Sequence, residues 1–129
     1  MTDRPMQAIP LTPETEAFHA GMREGRLLIR RCATCHRAHW YPRALCPYCF
    51  GATAWEQASG AAVIHSYTVM RRVPAPYALA YVSLAEGPAM MTNIVECDFD
   101  ALHIGQPVEL VLKHATDDSL VPCFRPTAG

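Results

Sequence analysis

The sequence is short of the features that announce most membrane proteins and many enzymes. No stretch approaches the ~20 apolar residues of a membrane span. No apolar run follows Met1-Thr2-Asp3-Arg4-Pro5, so no signal peptide is expected, and a reducing, cytoplasmic setting follows. There is no glycine-rich phosphate loop, no paired-acid arrangement and no βαβ pattern, which leaves autonomous catalysis without an obvious platform. Lysine is nearly missing, with one residue against ten arginines. Charged residues make up only 18% and hydrophobic ones 50%, a balance that excludes a disordered chain apart from its ends.

What is present in an unusual arrangement is cysteine. Cys32-Ala33-Thr34-Cys35 is followed, ten residues later, by Cys46-Pro47-Tyr48-Cys49. A two-residue gap lets the chain fold back so that both thiolates face one ion, and the intervening loop lets a second knuckle complete a tetrahedron. Zn²⁺ is the expected occupant; it accepts four thiolates and leaves no open position, which argues for structure over catalysis. A rubredoxin-like iron site uses the same ligands. Two disulfides would also use these cysteines, but nothing else points to an oxidising compartment. His36 and His39 lie inside the segment and read as non-ligands, since four cysteines suffice. So small a module cannot bury enough apolar surface to fold alone, whereas structural Zn²⁺ supplies ~10–16 kcal/mol apparent at neutral pH. At 129 residues, the chain fits one ordinary domain or such a module joined to a compact domain of about 70 residues.

Charge is distributed unevenly. Residues 23–43 carry Arg23, Arg26, Arg30, Arg31, Arg37 and Arg43 against the single acid Glu24, a local balance of +5. From residue 60 onward the balance is −3. The basic segment suits phosphate, whether of nucleic acid or of a phosphorylated cofactor, or an acidic partner surface; a solvated face is the plainer alternative.

Residues 1–11, with Pro5 and Pro10, read as a loose leader. Thr12-Pro13-Glu14 is a helix start, with a capping hydroxyl, proline at the first helical position and acids near the positive dipole end. The helix should run to about Glu24 and stop at Gly25. Phe18 and Met22, four apart, share a face that must dock on the rest of the chain or on another protein. Leu27-Leu28-Ile29, His39-Trp40-Tyr41 and Ala54-Trp55-Glu56 read as short strands around the knuckles. Trp40, Tyr41 and Trp55 are expected to pack there as a small aromatic core rather than to stack bases.

From Gly60 the hydrophobic period changes to two. Ala61 to Met70 is a long strand, Tyr77 to Leu84 a second, Ala89 to Val95 a third, Val108 to Lys113 a fourth, and Val121 to Phe124 a short fifth. Glu86-Gly87-Pro88 is a turn, and Asp98 to Leu102 a single helical turn before the fourth strand. This spacing predicts a five-stranded Greek-key barrel of the OB type, with a coiled first strand serving both halves; a sandwich would need about seven strands. The chain therefore divides into a leader and helix (1–26), a rubredoxin-like zinc ribbon (27–59) and an OB-fold (60–129), mainly β throughout.

The order Cys32-x-x-Cys35, Tyr41-Pro42-Arg43, Cys46-Pro47-x-Cys49, Gly60 and Ser66-Tyr67-Thr68-Val69 resembles the DUF35 proteins. The likeness continues through Pro76-Tyr77, Glu86-Gly87-Pro88, Met91-Thr92-Asn93, Ile104-Gly105-x-Pro107-Val108 and Phe124-Arg125-Pro126. Two departures stand out: His36 and Phe50 occupy positions where that family usually has glycine, which bears on turn geometry and leaves the ligands intact. The resemblance implies a non-catalytic accessory or scaffold subunit. Such a subunit binds a thiolase-like enzyme, or a hydratase- or aldolase-like one, in a hetero-oligomer. It also implies contact with acyl-CoA, to seat or channel substrate.

Arg43, Arg71, Arg72 and Arg125 are the candidates for CoA phosphates because a guanidinium suits them, and each is equally suited to a surface ion pair. Phe18 and Met22 are the candidate partner contacts. Cys97 and Cys123 read as small buried hydrophobes, with no base placed beside either thiol. The competing class is a single-stranded nucleic-acid binder, against which stand a net acidic barrel portion and a sequence pI of about 6.6. A bridge between enzymes that never touches CoA is the third reading.

Overall fold

A computed structural model of the chain describes residue 6 and residues 8–127. Helix α1 spans Glu16–Arg23, so it starts later than its sequence suggests. Thr12 to Thr15 forms a tight turn closed by Thr15 N–H donating to the Thr12 carbonyl at 3.0 Å. Thr15, at the N-cap, is fully buried and turns its hydroxyl back to the Pro10 carbonyl at 2.8 Å, leaving the first-turn amides uncapped by a side chain. The stop falls at Gly25, as expected. Gly25 has φ +80°, its N–H reaches the Met22 carbonyl at 2.9 Å, and Arg26 N–H reaches Gly21 at 2.9 Å. These two bonds form a Schellman motif, which needs the left-handed residue that glycine supplies at least cost.

Three strands make the ribbon sheet: β1 (Leu28–Cys32), β2 (Ala38–His39) and β3 (Thr53–Gln57), in the order β2-β1-β3, all antiparallel. The barrel follows with β4 (Ala61–Met70), β5 (Tyr77–Leu84), β6 (Ala89–Ile94), β7 (Pro107–His114) and β8 (Leu120–Pro126). They close in the order β4-β5-β6-β8-β7, with β4 returning to β7. A 3-10 turn at Phe99–Ala101 precedes β7. Strand β4 pairs with β7 through Ala61–Val63 and with β5 through Ala62–Met70. A register shift between Ile64 and Ser66 lets this long strand bend into both halves, as a bulge does. β6 meets β8 in parallel at Ile94–Phe124. This is the expected OB barrel.

Alternation sorts the barrel strands. On β5 and β6, Ala78, Ala80, Val82, Leu84, Met90, Thr92 and Ile94 face in and are buried. A single core then runs through the joint between modules. Phe18 (0% exposed) and Met22 (1%) on α1 pack with Leu27 and Ile29 of the ribbon and with Val82, Ile94 and Phe124 of the barrel. The helix touches both β1 and β8. Phe18 and Met22 are thus buried, and the face expected to meet a partner is covered within the chain by ribbon and barrel side chains.

Two further expectations change. Leader residues do not all lie loose: Met6 is buried, bridges to Ala115 in parallel and accepts from Thr116 N–H at 3.0 Å, packing with Val95 and Cys123; Pro5 lies outside the described residues. The aromatic cluster also differs. Trp40 packs on Phe18 (centroids 5.0 Å) and Tyr41 (5.6 Å), which joins helix to ribbon, while Trp55 stands apart beneath Arg30 at 4.6 Å.

Candidate metal centre and docking surfaces

The knuckles share one geometry. In the first, His36 N–H donates to the Cys32 carbonyl (3.1 Å) and Cys32 N–H to Arg37 (2.9 Å); in the second, Phe50 N–H donates to Cys46 (2.8 Å) and Cys46 N–H to Gly51 (2.8 Å). The residue after each second cysteine must then turn left-handed, and His36 and Phe50 do so at φ +63° and +64°. A glycine would adopt this conformation without strain; a residue bearing Cβ holds it at a cost of ~1–2 kcal/mol. Gly51 meets a different demand. A Cβ there would lie 2.8 Å from Thr34 Oγ1 and 3.1 Å from Cys32 Sγ. The knuckles approach too closely for any side chain.

Folding in this way brings Cys32, Cys35, Cys46 and Cys49 together with all four Sγ atoms within 4.8 Å of one another. Cys32–Cys49 is 3.4 Å and Cys35–Cys46 is 3.7 Å. Tetrahedral Zn–S bonds of about 2.3 Å place sulfurs ~3.8 Å apart, so the cluster fits the ion. Amide donors surround the sulfurs: Thr34 and Cys35 N–H reach Cys32 Sγ at 3.3 Å each, and Tyr48 N–H reaches Cys46 Sγ at 3.4 Å. The Cys35 amide foremost lowers the Cys32 pKa to about 6. For Cys49 the Gly51 N–H pulls down, but the other three cysteine side chains and burial carry the pKa up to about 11. The Cys32 thiolate is favoured and the Cys49 thiolate disfavoured by its neighbours, an opposition that a bound dication would relieve. His36 and His39 supply no ligand to the cluster.

The arginines do not form one basic face. Arg31 makes a two-pronged pair with Glu56 at 3.0 and 2.9 Å, and Arg26 pairs with Glu24. Arg30 reaches Thr53 Oγ1 (2.8 Å) and Thr53 O (3.0 Å); Thr53 Oγ1 lies 2.7 and 2.8 Å from the Arg43 and Ala44 carbonyls. Glu14 takes the Ala44 N–H at 2.9 Å. Together these bonds hold the approach to the second knuckle. Arg37 lies over the Tyr48 ring at 4.9 Å and Arg43 over Tyr41 at 5.5 Å.

Of the phosphate candidates, Arg71 and Arg72 adjoin each other just beyond β4, both exposed, with Arg71 paired to Asp100 at 2.7 Å. Arg43 sits on the ribbon. Arg125 is held between Glu109 (3.1 Å) and Glu96 (3.4 Å), and Glu109 lies opposite Ala61 at the far end of β4 from Arg71. The four are not brought together. Strands β4 and β5 also form a feature that sequence reasoning missed, a groove of about 240 Å³ lined by Ser66, Tyr67, Thr68, Leu79, Ala80 and Tyr81, with Arg71 and Arg72 outside that lining. The outward residues of β5 and β6 next to it, among them Leu79, Tyr81, Ser83, Met91 and Asn93, carry no charge. Tyr81 and Met91 are cross-strand neighbours, 50% and 53% exposed. Alternation alone marks these positions as outward; it does not mark the groove, which depends on pairing across β4 and β5.

His39 is 2% exposed and, among the described residues, neither ring nitrogen has a hydrogen-bond partner. Burial lowers its pKa, and the Arg30 and Arg43 charges reinforce this. The unfolded chain takes up a proton near pH 6.5 while the folded ring resists it. Stability contributed by the neutral ring is present above that pH and declines as pH falls through it, by no more than ~1.4 kcal/mol per pH unit. Chemical denaturation of the zinc-loaded protein between pH 7.5 and 5.5 should show this slope, and His39→Leu should flatten it; an unchanged slope would remove His39 as its source. Cys97, whose thiol burial pushes up and which lies 3.8 Å from the Ile94 carbonyl, is a poor nucleophile at neutral pH.

The sequence of this fold is shared. Residues 19–56 match the ChsH2 rubredoxin-like zinc ribbon domain and residues 55–113 the ChsH2 C-terminal OB-fold domain. A DUF35 domain-containing scaffold protein of Methanothermobacter thermautotrophicus is 33% identical over 96 residues, covering 68% of this chain and 72% of the relative. This chain belongs to the DUF35 family. A probable enoyl-CoA hydratase alpha subunit of Thermomonospora curvata is 36% identical over 111 residues, 81% of this DUF35 chain. The chain spans only about a third of that relative's length, 34%. The structure described as Ltp2-ChsH2(DUF35) aldolase contains a chain that superposes with TM-score 0.79 at 31% identity, covering 94% of this DUF35 chain and 100% of the other. No helix among the described residues is long and apolar enough to cross a membrane.

Proposed function

We propose that this DUF35 chain is an accessory subunit, without catalysis of its own, of an enzyme that works on acyl-CoA thioesters, and that it helps to seat the thioester. A thiolase-like enzyme is the preferred partner, with a hydratase- or aldolase-like one as the neighbouring possibility that the relatives' descriptions support. The observation that carries the reading is the uncharged groove between β4 and β5, with Arg71 and Arg72 following β4 a few residues beyond the groove's lining. CoA has the matching form, an apolar-tolerant pantetheine arm ending in phosphates that guanidinium groups grip. Arg43 serves as a secondary candidate; Arg125, already shared by two carboxylates, is the weakest of the four.

The nucleic-acid reading loses support on the same surface. OB-folds bind oligonucleotides on their second and third strands and through the first and last hairpin loops. Here the outward face of β5 and β6 has no cation, and the β7–β8 loop carries Asp117 and Asp118. Phosphates would meet no counter-charge on that face or in the β7–β8 loop, and the β4–β5 loop offers only Arg71, already paired with Asp100, and Arg72.

Titration calorimetry with acetyl-CoA, alone and in the presence of the purified partner enzyme, tests the proposal. Binding should weaken about tenfold in Arg72→Ala, the scale of one charged hydrogen bond, and remain in Arg125→Ala. Enzyme binding with no acyl-CoA effect would leave only the bridging role, and retention on single-stranded DNA with a steep salt dependence would overturn both.

A further inference from the structure

The second knuckle carries a patch that the fold does not use. Leu45, Tyr48 and Phe50 flank its cysteines and are 58%, 55% and 77% exposed. Phe50 is the sharpest case, since a large aromatic ring stands free in solvent on a backbone at φ +64°, a conformation that favours glycine. Neither burial nor local geometry accounts for phenylalanine there, and strain retained without internal benefit points to a role outside the chain. Beside the patch, Arg37 and Arg43 are exposed, stacked on tyrosine rings, and make no salt bridge among the described residues.

We infer that the second knuckle is a docking surface for a folded protein that presents an apolar pocket rimmed by carboxylates. Phe50 and Leu45 would fill the pocket; Arg37 and Arg43 would meet the rim. Aromatic side chains and arginine dominate the energetic centres of protein interfaces, and a guanidinium stacked on a ring keeps its edge free for a two-pronged carboxylate contact. Charge complementarity favours an acidic rim, because Arg37 and Arg43 are exposed cations with no salt bridge among the described residues. The patch is also held in place before binding: Leu45 bridges Ala52, Ala44 is anchored by Glu14, and the clustered cysteines would be tied together by a bound ion. Such order reduces the entropy lost on docking. The inference is independent of the groove, because Leu45 and Phe50 do not line the space between β4 and β5 and Phe50→Gly leaves that space unchanged.

The test is photo-crosslinking from position 50, with benzoyl-phenylalanine in place of Phe50 in cells of the native source and the same probe at Ile104 as an exposed control. The adduct expected is one protein, joined at an apolar pocket bordered by Asp or Glu. That protein, purified, should bind Phe50→Gly at least tenfold more weakly than the parent chain, although Phe50→Gly relieves the left-handed strain and should melt no lower. Arg37→Glu should weaken binding further, and a carboxylate-to-arginine change on the partner's rim should restore it. Adducts only with lipid, with nucleic acid or with a second copy of this chain, or equal affinity for Phe50→Gly, would overturn the inference.

Discussion

Cys46→Ser should abolish stoichiometric zinc and unfold the ribbon. The magnitude follows from comparing two quantities. Structural zinc contributes ~10–16 kcal/mol apparent at neutral pH, while the whole of a typical domain's stability is ~5–15 kcal/mol. The ribbon has little else to hold it: the sulfur cluster, the short sheet β2-β1-β3, and a few buried side chains such as Leu27, Ile29 and Ala38. With one ligand lost, three thiolates cannot close the tetrahedron, and amides of β1 and β3 should exchange on the time scale of an unfolded chain. A strong chelator should do the same to the parent protein, more readily at low pH, where protons compete for thiolates. The measurements are metal content by mass spectrometry, expected at about one zinc per chain, and hydrogen exchange by segment. Cys46→Ser protein with zinc still bound and unchanged ribbon protection would refute the ligand set; a red iron chromophore would refute zinc.

Phe18→Ala should cost about 3–5 kcal/mol, the range for removing a fully buried phenylalanine. Its size comes from position as much as from volume. The ring is 0% exposed, packs 5.0 Å from Trp40 and belongs to the cluster that also holds Ile29 and Phe124. It is the contact common to helix, ribbon and barrel, so its loss should reduce cooperativity between modules as well as overall stability. Thermal unfolding should separate into two transitions, and tryptophan emission should shift red as Trp40 becomes wetter. A loss under ~1 kcal/mol, or a single sharp transition, would mean that the seam is held elsewhere.

How much of this was legible in the residues varies by element for physical reasons. The barrel strands emerged because alternation is a local property; β4 and β5 are as expected, and β7 and β8 differ only at their ends. The clustering of the four cysteines emerged because spacing alone determines whether two thiolates can face one ion. Gly25 emerged because the left-handed stop of a helix selects glycine. The helix start was misplaced: Thr12 carries the right side chain, but the fold turns the chain at Thr12–Thr15 and buries Thr15 instead.

The identity of the two modules, their order and the cluster of four cysteines were determined by the sequence itself, since each depends on period or spacing along the chain. Tertiary structure alone decided where Phe18 and Met22 would be spent, since an apolar helix face does not carry the name of its cover. It also decided which arginines are paired: Arg31 and Arg125 meet carboxylates on neighbouring strands, whereas Arg37 and Arg43 lie over tyrosine rings. Finally, it showed Phe50 to be both exposed and left-handed. Exposure is a property of the assembled surface, and no local pattern reports it.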